Sequence, residues 1–295
     1  MLQKHTYFYC YLIVFSFLSG CMRYSPQYTT QIAHVNTAEV RALLERAENL
    51  ALKAVDRETL LYSITAFELV ISKDVHNYKA LTALGNLYLL LGDGYEQSTE
   101  LKAGYFEKAM LYCEQAMHQN TEFNNRIDAG EKAWQASSVL SIHEIDAMVF
   151  WVTAVFYYYK ECLGPIGQMI NYPWIRRAKI MLAAAESLNA EWGGGIIYLS
   201  WGLYYLSVPE AVGGNRALSA EYFDKAIKTG PDWMVNRWAR AKYFNVKMGN
   251  QAQFQEDLQW IIDQDFNLAR DHMAWRHFFI SDAKRLLDAK NTIFR

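Results

Sequence analysis

The sequence predicts an all-α chain in which about twelve helices stack as hairpins into a solenoid. Apolar residues recur at helical spacing in one segment after another, short polar or Gly-containing joints separate the segments, and no stretch alternates like a strand. Only 5 of the 295 residues are proline, so few helices need to be interrupted. Similar motifs also recur at a fixed distance, which is the signature of a repeat architecture. The predicted helices span residues 37–55, 57–72, 77–91, 102–119, 125–140, 142–163, 174–188, 195–206, 217–229, 233–248, 251–265 and 269–289.

The N-terminal segment 1–20 is predicted to be a lipoprotein signal peptide. Its apolar run, 7–17, is too short to span a bilayer, and it ends at Leu-Ser-Gly-Cys with small residues before Cys21. We expect Cys21 to carry lipid and to anchor the mature chain to a membrane. Met22 rather than Asp follows the cysteine, which in Gram-negative sorting indicates the outer membrane, with the protein facing the periplasm. The alternative is a plain secretory signal in which Cys21 is incidental.

Segment 21–36 is predicted to be a flexible tether, because it is rich in Ser, Gln, Thr and Tyr and has no hydrophobic period. The remaining 37–295 could form one large or two ordinary domains by length, and its composition favours one α-helical domain. The net charge of -2 gives no sign of a nucleic-acid partner. Aromatic residues make up 15% of the chain and must be buried in packing or offered to a ligand.

Two cysteines remain in the helical domain, Cys113 and Cys162. A disulfide between them is an option in an oxidising compartment. Each lies within a helical pattern and has no nearby CxxC partner, which favours two separate thiols.

An internal repeat defines the hairpins. The pattern Leu-x-x-Leu-Gly-x-x-Tyr around Gly85 recurs as Tyr-x-x-Trp-Gly-x-x-Tyr around Gly202, and each is followed at the same distance by Tyr-Phe-(Glu/Asp)-Lys-Ala, at 105–109 and 222–226. Both copies match the tetratricopeptide pattern, in which a small residue on the first helix makes a socket for the second helix. The loop inside each hairpin is about five residues longer than the consensus implies.

The socket glycines also predict which residues face the concave surface of the solenoid. The positions one after and three before each glycine are Asn86 and Thr82 in the first copy and Leu203 and Leu199 in the second. The same rule on helix 142–163, with Ala154 as the small residue, selects the three residues Trp151, Val155 and Tyr158. These seven residues are the predicted ligand-binding candidates, lining a largely apolar groove or pore. The alternative is that the aromatic residues fill the core between repeats.

Segment 178–223 resembles the T component of tripartite ATP-independent periplasmic (TRAP) transporters, the TatT lipoproteins. In that family a Gly-rich joint precedes a tetratricopeptide first helix, and a Pro-x-x-x-Gly-Gly loop precedes the next Tyr-Phe-x-x-Ala. Pro209, Gly213 and Gly214 match that loop, and a tight structural turn explains these glycines without a ligand. Trp151 matches the central tryptophan of another helix of the family.

The resemblance implies a lipoprotein that assembles as a homotrimer around a central pore or cavity and docks the periplasmic substrate-binding protein of a TRAP transporter. It implies a hydrophobic or organic-anion ligand, no cofactor and no enzymatic activity. The alternative is a tetratricopeptide scaffold lipoprotein that organises envelope or outer-membrane assembly without a small ligand.

Motifs for catalysis or metal binding are missing from the sequence. His143 and Glu144 lack the second histidine of a zinc HExxH motif, and His272 and His277 fall on different faces of one helix. The glycines at 193–195 follow no strand, so they are not a dinucleotide fingerprint. We therefore expect neither an enzyme nor a metal site.

Overall fold

A computed structural model describes Met22, Tyr24, Pro26 and residues 36–295. The predicted signal peptide and Cys21 lie outside the described residues. Helices make up the whole architecture of the described part, which contains no strand, and the predicted all-α hairpin fold is confirmed. The α-helices are α1 (Thr37–Ala51), α2 (Arg57–Lys73), α3 (Tyr78–Leu90), α4 (Thr99–Met117), α5 (Thr121–Asp128), α6 (Ala133–Ala136), α7 (Ile145–Tyr157), α8 (Pro165–Asn189), α9 (Trp192–Ser207), α10 (Arg216–Thr229), α11 (Met234–Ala239), α12 (Val246–Met248), α13 (Gln251–Asp263), α14 (Met273–Asp288) and α15 (Lys290–Ile293).

Consecutive helices pack against each other as antiparallel hairpins. The closest pairs are α1 with α2, α3 with α4, and α9 with α10, and α4 also packs on α7. Asparagine side chains begin five of these helices by accepting a hydrogen bond from the backbone N–H three residues on. These N-cap residues are Asn36, Asn77, Asn120, Asn215 and Asn250.

Two of the predicted helices differ clearly from the structure. The predicted helix 125–140 is split into α5, α6 and a 3₁₀ turn, Ser137–Val139, because Gly130 takes a φ of 98° and ends the first piece. Helix α8 begins at Pro165, before the predicted start at residue 174, and it runs through Pro173. Pro173 removes one backbone hydrogen bond inside the helix without ending it.

The extra residues inside the repeats have a structural explanation. In the first copy, α3 continues as a π-helical turn, Leu91–Tyr95, before the chain reaches α4. In the second copy a 3₁₀ turn, Glu210–Val212, lies between α9 and α10. Two further π turns, Tyr158–Cys162 and Arg240–Asn245, extend α7 and α11.

The socket glycines lie where the repeat pattern places them. A Cβ added at Gly85 would come within 2.6 Å of the Sγ of Cys113 on α4. At Gly202 it would come within 3.0 Å of the Phe223 ring on α10. A Cβ would overlap Cys113 at position 85 and crowd Phe223 at position 202, so glycine favours the close approach of the two helices in each hairpin.

The last helices return to the first repeat and close the solenoid into a ring. The indole Nε1 of Trp275 on α14 donates a hydrogen bond to Oδ1 of Asn86 on α3 at 2.8 Å, across 189 positions in sequence. Lys242 forms an ion pair with the buried Asp93 at 3.2 Å. These contacts bring the first and last inner helices together around a central space.

Both cysteines of the helical domain are free thiols. Cys113 is buried against Gly85, and Cys162 is half-buried at the end of its π turn. Burial raises the pKa of both thiols, which makes them poor nucleophiles at neutral pH. None of the described helices combines the length and the hydrophobicity needed to cross a bilayer.

Candidate functional site: a central cavity

A cavity of about 670 Å³ lies at the centre of the ring. Its wall consists mainly of one face from each of the inner helices α3, α7, α9, α11 and α14, with α1 at one side. The outer helices α4, α8, α10 and α13 contribute no residue to this wall. Because each outer helix runs antiparallel to the inner helix before it, the inner helices run in a similar direction around the cavity.

The wall is mostly apolar and unusually aromatic. Aliphatic residues such as Leu87 and Ile196 fill the spaces between the rings. The aromatic lining residues are Phe67, Phe150, Phe156, Tyr157, Trp192, Trp233, Trp238, Tyr243, Trp275 and Phe279. A concave apolar cavity of this size with few polar groups is the usual form of a small-molecule site.

Four of the predicted ligand-binding candidates lie together in this wall. Thr82 and Asn86 line it from α3, and Leu199 and Leu203 line it from α9. The rule based on the socket glycine therefore placed both repeat copies in the correct helical register.

The other three candidates, Trp151, Val155 and Tyr158, are not in the cavity wall, so the predicted face of α7 is wrong. Trp151 is fully buried in the core, and its Nε1 donates a hydrogen bond to Oε1 of Glu114 on α4 at 2.7 Å. Helix α7 turns Val149 and Thr153 toward the cavity instead. It is buried on nearly every side, so a small residue such as Ala154 does not distinguish one face from another.

Few polar groups in the wall are available to a ligand. The hydroxyls of Thr82, Thr153 and Ser200 each donate to a carbonyl of their own helix. Asn86 accepts from Trp275, and no described residue accepts a hydrogen bond from its Nδ2. The Tyr243 hydroxyl is buried without a hydrogen-bond partner among the described residues. Asn86 is thus better placed than Tyr243 to bind a polar atom of a ligand, because the Tyr243 hydroxyl is buried.

Most charged groups of the wall lie near the starts of the inner helices and already have partners. Lys79 pairs with Glu48 at 3.9 Å. Asp271 accepts hydrogen bonds from the backbone N–H of Met234 at 2.7 Å and of Val235 at 3.1 Å, which caps α11.

Desolvation shifts the pKa of three of the titratable groups in the wall. It raises the pKa of Asp271 to about 6, against the opposing effect of its backbone hydrogen bonds. It also raises the pKa of Asp146, which the hydrogen bond from Trp192 opposes. Desolvation and the nearby Arg276 charge lower the pKa of His272.

A run of three glycines shapes one side of the cavity. Gly193, Gly194 and Gly195 have φ angles of 60°, 64° and 91°, so the chain is left-handed here and the right-handed part of α9 begins after them. The Nδ2 of Asn236 donates to the Gly194 carbonyl at 2.9 Å and to the Ala226 carbonyl at 3.0 Å. This turn brings Trp192 and Trp233 to the same rim.

The Pro209 to Gly214 loop lies away from the cavity. Gly213 takes a φ of 104°, and the Gly214 N–H donates to the Pro209 carbonyl at 3.0 Å. A Cβ on Gly214 would overlap the Val208 carbonyl. These contacts make the loop a tight turn between α9 and α10.

Sequence reasoning missed most of the aromatic lining. Trp275 and Phe279 are four residues apart on α14, a spacing that puts both on one helix face. Their helix carries no socket glycine, so the rule that found Asn86 and Leu203 gave no signal there. Trp192 and Trp233 lie at helix starts, where hydrophobic period is not informative.

The described wall is an apolar, concave surface of the kind that binds small molecules. The polar groups of the wall are largely committed to hydrogen bonds within the protein, and no nucleophile with a lowered pKa faces the cavity among the described residues. The described residues contain no group of three His, Cys, Asp or Glu placed to hold a metal ion.

Comparison with known proteins identifies the family. No curated protein matches the chain. The family model described as "TRAP transporter T-component" matches residues 96–294, which include α4 through α15 and hence most of the cavity wall. The chain belongs to the TRAP transporter T-component family.

Proposed function

We propose that the protein is a lipid-anchored periplasmic accessory component of a TRAP-type transporter that holds a largely apolar ligand in its central cavity. The family match supports the transport role. The proposed ligand binding rests on the cavity of about 670 Å³ with its aromatic wall, which is large enough for a small organic molecule.

The charges of the wall favour an apolar ligand over an organic anion. Three carboxyl groups line the cavity, those of Glu48, Asp146 and Asp271, against one lysine that is already paired. An anion entering this space would leave water without gaining a free cation. A ligand with an apolar body and one polar atom suits the wall better, with the Asn86 side chain as its hydrogen-bonding partner.

Two fluorescent dyes that differ by one sulfonate test this preference. We expect the neutral dye phenylnaphthylamine to bind more tightly than anilinonaphthalene sulfonate. Leu203→Trp should weaken binding of the neutral dye roughly tenfold by filling the cavity, about 1.4 kcal/mol. Leu101→Trp is the matched control, because Leu101 is half exposed on α4, away from the cavity wall. Equal affinity of the neutral dye for the parent and Leu203→Trp proteins would exclude the cavity as the dye-binding site. Tighter binding of the sulfonate dye would favour an organic anion as the ligand.

The partner and the assembly belong to the same proposal. The protein docks the substrate-binding protein of the transporter, assembles as a homotrimer, and is held by lipid on Cys21 at the outer membrane, facing the periplasm. Crosslinking with that substrate-binding protein and light scattering on the Cys21→Ala form test the first two statements. Fractionation of the Cys21→Ala variant tests the third, since it should leave the membrane pellet. Crosslinks only to envelope assembly proteins would support the scaffold alternative.

A further inference from the structure

The start of the described chain is packed on α8. The backbone N–H of Met22 donates to Oδ1 of Asn171 at 2.8 Å, and the Nδ2 of Asn171 donates to the Gly167 carbonyl at 2.8 Å. Met22 itself is buried. The Tyr24 ring meets the Trp174 ring edge-on at a centroid distance of 6.0 Å. Met22 and Tyr24 therefore pack on the first half of α8, which differs from the flexible tether that the sequence predicts at these two positions.

The same half of α8 exposes an apolar stripe. Ile166, Met169, Ile170 and Pro173 recur at helical spacing and are all exposed, and Met169 is 79% exposed. The exposed Val212 lies beside this stripe, because its carbonyl accepts a hydrogen bond from the hydroxyl of Tyr172 on α8. Single exposed apolar residues are ordinary, whereas a stripe of this length marks a surface that another apolar phase covers.

Basic residues follow the stripe on the next turn. Arg176 and Lys179 are exposed, and neither is in an ion pair among the described residues. No Asp or Glu occurs in α8 before Glu186. An apolar face followed by lysine and arginine is typical of a helix that lies in the interface of a membrane with anionic lipid.

We propose that the first half of α8 lies on the membrane surface, with Met169 and its neighbours inserted among the lipids. This inference rests on the proposed lipid anchor at Cys21. Cys21 directly precedes Met22 in the sequence, and Met22 packs on α8. The stripe lies on the same helix, whose diameter with side chains is roughly 10–12 Å. Lipid on Cys21 would therefore bring this surface to the bilayer, with Arg176 and Lys179 at the level of the headgroups.

Fluorescent labels on the full lipidated protein test this orientation. Met169→Cys carries an environment-sensitive dye, and Leu268→Cys is the matched control, because Leu268 is 64% exposed in the loop before α14. The parent chain under the same labelling conditions measures any reaction of Cys113 or Cys162. The proteins are reconstituted in vesicles of phosphatidylethanolamine and phosphatidylglycerol that contain doxyl-labelled lipid.

We expect a blue shift and quenching for the dye at position 169 and neither for the dye at 268. Protein that floats with the vesicles while the dye at 169 is unchanged would overturn the orientation and leave the lipid anchor intact. Protein that does not float would overturn the anchor and the orientation together. A blue shift of the Met169→Cys label without vesicles, rising with protein concentration, would assign the stripe to contact between copies of the chain.

Discussion

Close contact between helices depends on single glycines in this molecule. Gly85 packs its Cα against the side chain of Cys113, whereas Gly104 on α4 has nothing within 4 Å of an added Cβ. Both lie inside helices, where glycine costs about 0.5–1 kcal/mol relative to alanine through chain entropy. The two positions therefore differ only in the space around them.

Gly85→Ala should destabilise the protein by about 1–3 kcal/mol, because the new methyl group would push α3 and α4 apart. Gly104→Ala should stabilise it by about 0.5–1 kcal/mol. Chemical denaturation of both variants measures the free energy of unfolding. If both substitutions were stabilising, Gly85 would not be the socket of its repeat.

Trp151→Phe should lower the free energy of unfolding by about 1–3 kcal/mol, because it removes the hydrogen bond to the buried Glu114. It should leave dye binding in the cavity unchanged, since Trp151 is outside the wall. Trp275→Phe removes an indole from the wall itself and should weaken dye binding. Loss of dye binding in a folded Trp151→Phe protein would show that Trp151 contributes to the ligand site.

At the scale of helices, the sequence predicted most elements but not every face. Periodic apolar residues placed the hairpins, and the glycines at 85 and 202 placed the inner faces of α3 and α9. Helix α7 could not be oriented this way because it is buried all round. Helix α8 begins at Pro165, whereas its predicted start at residue 174 comes directly after Pro173.

The turn at Gly193, Gly194 and Gly195 is an element that only glycine can form. Each residue has a positive φ, and a Cβ on Gly194 would overlap the Trp233 indole. Gly249 also has a positive φ, 67°, but nothing lies within 4 Å of an added Cβ there. Substitutions at Gly194 and Gly249 therefore distinguish the cost of a positive φ from the cost of steric overlap.

Gly249→Ala should cost about 1–2 kcal/mol, which is the strain of a left-handed residue with a side chain. Gly194→Ala should cost more, because Trp233 must also move, and it should weaken dye binding since Trp233 lines the cavity. Thermal unfolding and dye titration of the two variants check this. Equal destabilisation by the two substitutions would mean that Trp233 moves aside without a cost in folding free energy.

At the scale of the whole molecule, an ion pair inside the protein helps to close the ring. Asp93 on the first π turn has a fully buried side chain, and its partner Lys242 lies on the last π turn. Burial raises the pKa of Asp93, and the Lys242 charge opposes that shift. No local sequence pattern could have predicted this pair, because the two residues are 149 positions apart.

Lys242→Met should destabilise the protein by about 3–5 kcal/mol, since it leaves a buried carboxyl group without its cation. Adding Asp93→Asn should recover part of that loss by removing the charge. Chemical denaturation of the parent, both single variants and the double variant gives the coupling energy. Additive single costs would show that the two residues do not stabilise each other.

The hydrogen bond between Asn86 and Trp275 has a kinetic consequence. Open repeat arrays fold through contacts between neighbours, so their folding can begin at any repeat and spread. Here α3 gains its contact with α14 only when the chain near residue 275 has folded into place. Contacts between distant residues slow folding, so this chain should fold more slowly than an open array of equal length. Until then the aromatic wall stays exposed to water, and a ligand present during folding would favour closure.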